Sequence, residues 1–235
     1  MVERKGFEII QKVLAEGRNF LLEHEAKNLC EVFDIPTTKL KVAKNEDEAV
    51  EYAKQIGFPV VLKILSPDII HKSDVGGVVV NIENEEKVRE AYKKIMENVE
   101  KHKPTAKIFG VVVEEMAKPS TEVIVGLIKD QQFGPTIMFG LGGIFVEVLK
   151  DVSFRVCPIT EKDATEMMLE IKGYPILKGY RNYPPADLNT LTKILLNVSR
   201  MAEEYPEIAE MDLNPILVYE KGAKVVDARI ILEKS

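Results

Sequence analysis

The chain has 235 residues, of which 46% are hydrophobic and 30% charged, and a formal net charge of −6. That apolar fraction excludes general disorder, and the acidic balance argues against nonspecific binding to nucleic acid or to an anionic membrane surface. No apolar run approaches the ~20 residues of a membrane span, the start MVERKGFEIIQKVLAEG lacks a signal-peptide centre, and Cys30 and Cys157 form no CxxC pair, so a cytoplasmic protein with two reduced thiols is expected.

Residues 1–20 read as an amphipathic N-terminal helix. Leu21–Phe33 reads as a second helix, ended by Asp34-Ile35-Pro36, and Lys39–Val42 as a short strand. Asn45 is placed to cap the next helix, with Glu48 three residues on as in a capping box. Ala49, Ala53 and Ile56 form its apolar stripe, and Gly57-Phe58-Pro59 ends it. Val60–Ile64 is an apolar run of strand length. A polar loop over 65–77 closes on Gly76-Gly77, Val78–Ile82 reads as a strand, and Glu85–Val99 as a helix. Polar Lys101–Lys107 marks a subdomain boundary. Beyond it, Val111–Met116, Thr121–Lys129 and Pro135–Leu141 read as an antiparallel meander. Helices follow at Glu161–Ile171 and Asp187–Glu204, then two closing strands, Ile216–Tyr219 and Lys224–Ile231. The pattern predicts an α/β (α+β) protein with a small lobe over 21–105 and a large lobe over 106–235. Two such lobes leave a cleft, a common place for a ligand.

Several nucleotide motifs are absent. No Gly-Lys dipeptide occurs, so there is no Walker A loop, and Gly140-Leu-Gly142-Gly143 lacks the spacing of a dinucleotide loop. Those glycines read instead as a turn needing positive φ or close backbone approach. Lys63 interrupts an apolar strand, where a charge is costly unless it faces a partner. The loop after it, Ser66 to Gly77, combines His71, Lys72, Ser73, Gly76 and Gly77. Glycines let backbone N–H groups approach phosphate oxygens, and lysine supplies charge. A lone exposed histidine usually does nothing, but a neutral imidazole beside such a loop is a competent phosphate-accepting nucleophile. Glu114-Glu115-Met116 ends a strand. It is open to two readings: carboxylates at a solvated strand end, or backbone groups near Met116 reading an adenine edge, with Glu122 taking ribose hydroxyls. Asp212 and Asn214 lie two apart and share a strand face, with Asp227 on the closing strand. Their oxygens suit Mg²⁺, although an acidic turn has the same composition.

Taken together, LLEHEAKNLCEVFDIPTTK, GFPVVLKILSPDIIHKSDVGGV, VVVEEMA, FGLGGIFVEVLKDVSFRVCPI and EMDLNPILV resemble the β subunits of ADP-forming acetyl-CoA synthetases, relatives of succinyl-CoA synthetase. The resemblance covers nearly the whole chain and implies an ATP-grasp fold, in which two α+β lobes clamp ATP. It implies a reaction interconverting acyl-CoA, ADP and phosphate with acid, CoA and ATP. The partner α subunit, in an α2β2 assembly, binds CoA and holds a first phosphohistidine. By the same resemblance His71 is the second phosphate carrier, and Lys63 contacts phosphate beside the loop residues Lys72, Ser73, Gly76 and Gly77. Glu114 to Met116 form the adenine hinge, Glu122 takes the ribose, and Asn214 and Asp227 hold Mg²⁺. Asp212 orients the histidine, and Arg155 is a further phosphate contact. The competing readings are an ATP-grasp carboxylate–amine ligase that needs no phosphohistidine and a non-catalytic nucleotide-binding subunit that regulates a partner.

Overall fold

Two helices lead the chain, α1 (Val2–Ala15) and α2 (Glu23–Val32), in a computed structural model that describes residues 2–69, 71–143, 148–181 and 184–233. Their apolar stripes, Ile10 and Val13 on α1 and Ala26, Leu29 and Cys30 on α2, join the core formed by residues after 119. The chain therefore divides into a unit Thr38–Lys118 and a unit made of Met1–Thr37 with Pro119–Ser235. The sequence reading put these borders at 21 and 106. The difference has two causes: α2 gives its stripe to the later core, and the strand after residue 106 completes the earlier sheet.

The unit Thr38–Lys118 contains β1 (Leu40–Ala43), α3 (Glu46–Ile56), β2 (Val60–Leu65), β3 (Val78–Ile82), α4 (Glu85–His102) and β4 (Gly110–Glu115). Asn45 accepts a hydrogen bond from the Glu48 N–H, and Asn84 from the Lys87 N–H; each such cap contributes about 1 kcal/mol. The sheet is antiparallel in the order β1-β4-β2-β3. Leu62, Ile64, Val111 and Val113 pack with Ala49, Ala53, Val88 and Ile95 from α3 and α4. Their alternates, Val61, Lys63, Val112 and Glu114, share the opposite face. β4 thus lies between β1 and β2 and is not the first strand of a meander. Its buried Val111-Val112-Val113 suits a central position.

The other unit continues with β5 (Thr121–Asp130), β6 (Gly134–Leu141), β7 (Val152–Val156), α5 (Glu161–Glu170), α6 (Tyr174–Leu177), α7 (Leu188–Glu204), β8 (Ile208–Val218), β9 (Ala223–Val225) and β10 (Ala228–Leu232). Its antiparallel sheet runs β10-β8-β5-β6-β7, with β9 also on β8. One face, carrying Val125, Leu127, Ile137, Phe139, Leu213 and Ile230, packs with apolar residues of α1, α2, α5 and α7. β8 begins at Ile208, well before the expected Ile216, because the alternation Met211-Asp212-Leu213-Asn214 is strand and not acidic turn. The closing strand is broken at Val226-Asp227 into β9 and β10. β7 and α6 are elements the sequence reading left unassigned. Among the described residues no helix is long and apolar enough to cross a membrane.

Candidate functional site

His71 is exposed, in a turn whose two sides are pinned. Ile69 and Val75 are buried in the core between the β2 sheet and its helices. Before the turn, the Asp68 carboxylate accepts the Lys107 N–H at 2.6 Å. After it, the Gly77 N–H donates to Lys72 O at 2.8 Å, and Gly77 O accepts from the Ile64 N–H at 2.8 Å. Glycine is needed twice. Gly76 has φ 63°, and a Cβ on Gly77 would lie 2.6 Å from Ile64 Cγ2. The Gly76 N–H donates to Ser73 O at 3.0 Å. In this arrangement the glycine N–H groups therefore fold the loop and do not cradle an anion. The result is a short polar tip, His71 to Asp74, held out from two apolar anchors.

Lys63 projects from β2 onto the face opposite its core. Its Nζ lies 2.6 Å from Glu114 Oε2, with side-chain exposures of 12% and 1%. Glu114 Oε1 accepts the hydroxyl of buried Thr38. The Glu114 carboxylate is therefore turned to a lysine and a threonine, not to a solvated strand end. The Glu115 N–H donates to Lys39 O at 2.9 Å and the Met116 N–H to Pro59 O at 3.1 Å. Those two N–H groups close the sheet, so an adenine at this strand end would meet other groups near Met116.

In the other unit, Glu122, Asp212, Asn214 and Asp227 come to the sheet face left free by the helices. Gly126 pairs with Asp212, and Asp212 with Arg229. The β5–β8 register shifts between Val123 and Val125, which places a bulge at Asn214-Pro215. Bulges re-aim side chains, and this one lies at the expected ligand Asn214. The Asn214 N–H donates to Asp227 O at 3.2 Å, so the two expected metal ligands are backbone neighbours across the hairpin. Burial raises the Asp212 carboxyl above its ordinary range, and Asp227 and Glu210 raise it further against the pull of Arg229. This crowding of oxygen-bearing groups is relieved by a cation, and hard oxygen donors suit Mg²⁺. The residues present therefore fit the ion. Among the described residues no cluster of three or more His, Cys, Asp or Glu groups is placed to hold a metal unaided. Glu122 is exposed on the same face, and its carbonyl accepts the Gly142 N–H at 2.8 Å. Gly142 is required there, since a Cβ would lie 2.9 Å from Glu122 Cβ.

Arg155 does not join this set. It pairs with Ile137, whose side chain lies in the helix-covered core, while its neighbour Phe154 pairs with Met138 on the other face. Its guanidinium binds Glu170 on α5 at 2.9 Å and approaches Glu166 at 3.7 Å. Lys72 is half-buried and Ser73 exposed beside His71. His71, Lys72, Ser73, Gly76, Gly77, Lys63, Glu114 and Met116 belong to one unit. Glu122, Asp212, Asn214 and Asp227 belong to the other. Two residues escaped the sequence reading. Thr38 carries no local signal beyond a polar residue ahead of a strand. Asp151 is buried and accepts the N–H groups of Lys172 and Gly173, both at 2.7 Å, so it ties β7 to the segment after α5.

Comparison with known proteins agrees with this architecture. The model of the ATP-grasp domain matches residues 12–232. The "Acetate--CoA ligase [ADP-forming] I subunit beta" of Pyrococcus furiosus is 55% identical over 228 residues, 97% of this chain and 98% of that protein. Among solved structures, the dinucleotide-forming acetyl-coenzyme A synthetase 1 of Ca. Korarchaeum cryptofilum, in complex with coenzyme A, Ca-AMPCP and HgCl+, superposes with a TM-score of 0.94 and 53% identity, covering 96% of this chain and 99% of that one. The same synthetase with coenzyme A and Mg-AMPPCP, its phosphohistidine segment pointing towards the nucleotide site, gives a TM-score of 0.87 at 49% identity over 97% of this chain and 100% of that one.

Proposed function

Because this chain belongs to the ATP-grasp β subunits of ADP-forming acetate–CoA ligases, we propose that it binds Mg-nucleotide and relays a phosphoryl group through His71 to ADP. A partner α subunit binds CoA and releases the acid. The observation that carries the relay is the presentation of His71 at an exposed tip between the buried anchors Ile69 and Val75. A carrier residue must reach two sites, and a pinned tip offers the ring to solvent while fixing where the chain returns.

In the direction of ATP formation, a phosphohistidine of the partner donates its phosphoryl group to a ring nitrogen of His71. The bond from phosphorus to the His71 nitrogen then breaks as a terminal phosphate oxygen of ADP takes the phosphorus. Such transfers depend on in-line positioning and neutralisation of oxygen charge. Lys63 supplies a cation from one unit, with Lys72 next to the carrier. Glu122 offers its carboxylate to the ribose hydroxyls. Asn214 and Asp227 would hold Mg²⁺, which when bound neutralises phosphate charge and orients the oxygens. Asp212 offers a carboxylate that would stabilise a cationic imidazole during the transfer. Arg155 is left out of this scheme, since its strand register turns it to the helix-covered side, towards Glu170. We place an α2β2 assembly in the cytoplasm, with Cys30 and Cys157 as free thiols.

The test is turnover with the partner chain. Acetyl-CoA, ADP and phosphate should yield ATP with the native protein, and His71→Asn should lose at least ~10³-fold in kcat with nucleotide affinity kept. Full turnover by His71→Asn would instead support an ATP-grasp ligase that needs no phosphohistidine.

A further inference from the structure

We propose that Glu114 and Thr38 are positioning residues for Lys63: the buried carboxylate, braced by the threonine hydroxyl, sets where the ammonium stands and neutralises it until a nucleotide phosphate arrives. The inference rests on the reading that Lys63 contacts phosphate, and it gives the Glu114 side chain a role distinct from reading adenine.

Lys63 is registered against Val112 on β4, so Glu114 is its diagonal neighbour on the same sheet face. At 1% exposure, the Glu114 carboxylate cannot stand in this apolar strand pair without a counter-charge. Lys63 Nζ supplies that charge at 2.6 Å. The other carboxylate oxygen takes the Thr38 hydroxyl. The carboxylate is held between the ion pair on one oxygen and the threonine hydroxyl on the other, which narrows where the long, rotamer-rich lysine puts its charge. Thr38 is itself 1% exposed and lies two residues ahead of β1, so the brace is buried beside the sheet. A nucleotide phosphate that approaches Lys63 therefore meets an ammonium already located. It shares that ammonium with Glu114 and does not have to order it. An aspartate, one methylene shorter, would not span lysine and threonine together.

The test is a double-mutant cycle on the full chain, read by calorimetric titration with Mg-ADP, with thermal unfolding confirming that each variant is folded. Glu114→Gln should weaken binding ~10-fold in the native background and less than about twofold in a Lys63→Met background, because its effect passes through the lysine. Thr38→Val should weaken binding about 3-fold, and Thr38→Ser, which keeps the hydroxyl, should restore it. Unchanged affinity in Glu114→Gln overturns the inference. So does an equal loss with and without Lys63, which would make Glu114 a direct nucleotide contact. Should either Glu114 variant fail to fold, the Thr38 pair decides: equal affinities in Thr38→Val and Thr38→Ser overturn the brace. Failure of the native chain to bind Mg-ADP would overturn the proposed function as well, whereas native binding with additive losses overturns the positioning role alone.

Discussion

Replacing Gly77 with alanine tests whether the His71 turn is held as the geometry requires. The added Cβ would lie 2.6 Å from Ile64 Cγ2 and 2.9 Å from the carbonyl oxygen of Lys72. Ile64 is fully buried and cannot swing aside without disturbing its core. The second contact is backbone, and it belongs to the residue that accepts the Gly77 N–H at 2.8 Å. The clash therefore has no inexpensive escape, and overpacking of this kind costs about 1–3 kcal/mol. If the strain is relieved by opening the turn, the amides of Ile64 and Gly77 lose protection by roughly 5- to 150-fold, since each 1.4 kcal/mol is a factor of ten. Hydrogen exchange read by NMR at those two amides, with a β5 amide such as Val125 as a control, measures this directly. Phosphorylation of His71 should slow in parallel. Native-like protection at Ile64 with an unchanged melting temperature would refute the reasoning, because it would mean that the loop does not close on β2 as described.

Three further outcomes follow from the charges. The raised Asp212 carboxyl costs the fold stability once ionised, a cost that grows as pH rises from the ordinary carboxylate range through the raised value. Asp212→Asn should therefore gain stability at neutral pH, a small gain because the residue is in contact with solvent, while slowing phosphoryl transfer; a destabilised variant in thermal unfolding would contradict this. Burial pushes the Glu25 carboxyl up, but two hydrogen bonds from Arg18 and one from the Leu22 N–H hold it below its ordinary value overall. The stability it contributes is present above the ordinary carboxylate range and is lost as pH falls through the lowered value. Arg18→Ala should cost ~3 kcal/mol at neutral pH by stranding that carboxylate, and urea titrations should show the difference from the native chain narrowing in acid. Asp151→Ala should cost about 2 kcal/mol by orphaning the Lys172 and Gly173 N–H groups, with the Ile171–Leu177 segment showing the earliest exchange.

Local structure was readable wherever the signal itself was local. Asn45 capped its helix by accepting the Glu48 N–H as the spacing required, although the Glu48 carboxylate took the Lys44 N–H and not the Asn45 N–H of a capping box, and Val78–Ile82 emerged with the expected bounds. Partnership between strands was not readable, because alternation tells which residues share a face but not which strand lies alongside. Val111–Met116 accordingly looked like the start of a meander and proved to be the central strand of the earlier sheet. The site was legible to a similar extent. Asp212 and Asn214 share a face because their spacing demands it, and the bulge beside them depends on pairing with β5. Arg155 was offered as a phosphate contact by the resemblance, whereas the alternation of β7 sends it to the helix side with Ser153, where Glu170 takes it. His71 drew notice from the lysine, serine and glycines of its loop, but its part as the second phosphate carrier came only from the resemblance. The Glu114 carboxylate needed coordinates, since its partners Lys63, inside β2, and Thr38, ahead of β1, are brought to it only by the pairing of both strands with β4.

Phosphoryl labelling of His71 tests the central claim most directly. The purified chain is incubated with Mg²⁺ and γ-labelled ATP, with and without the partner chain, and the label is tested for stability in acid and base. The account predicts an acid-labile, base-stable phosphate that is chased off by ADP and absent in His71→Asn. An identical label in His71→Asn, or none in a native chain that demonstrably binds Mg-ATP, would contradict it.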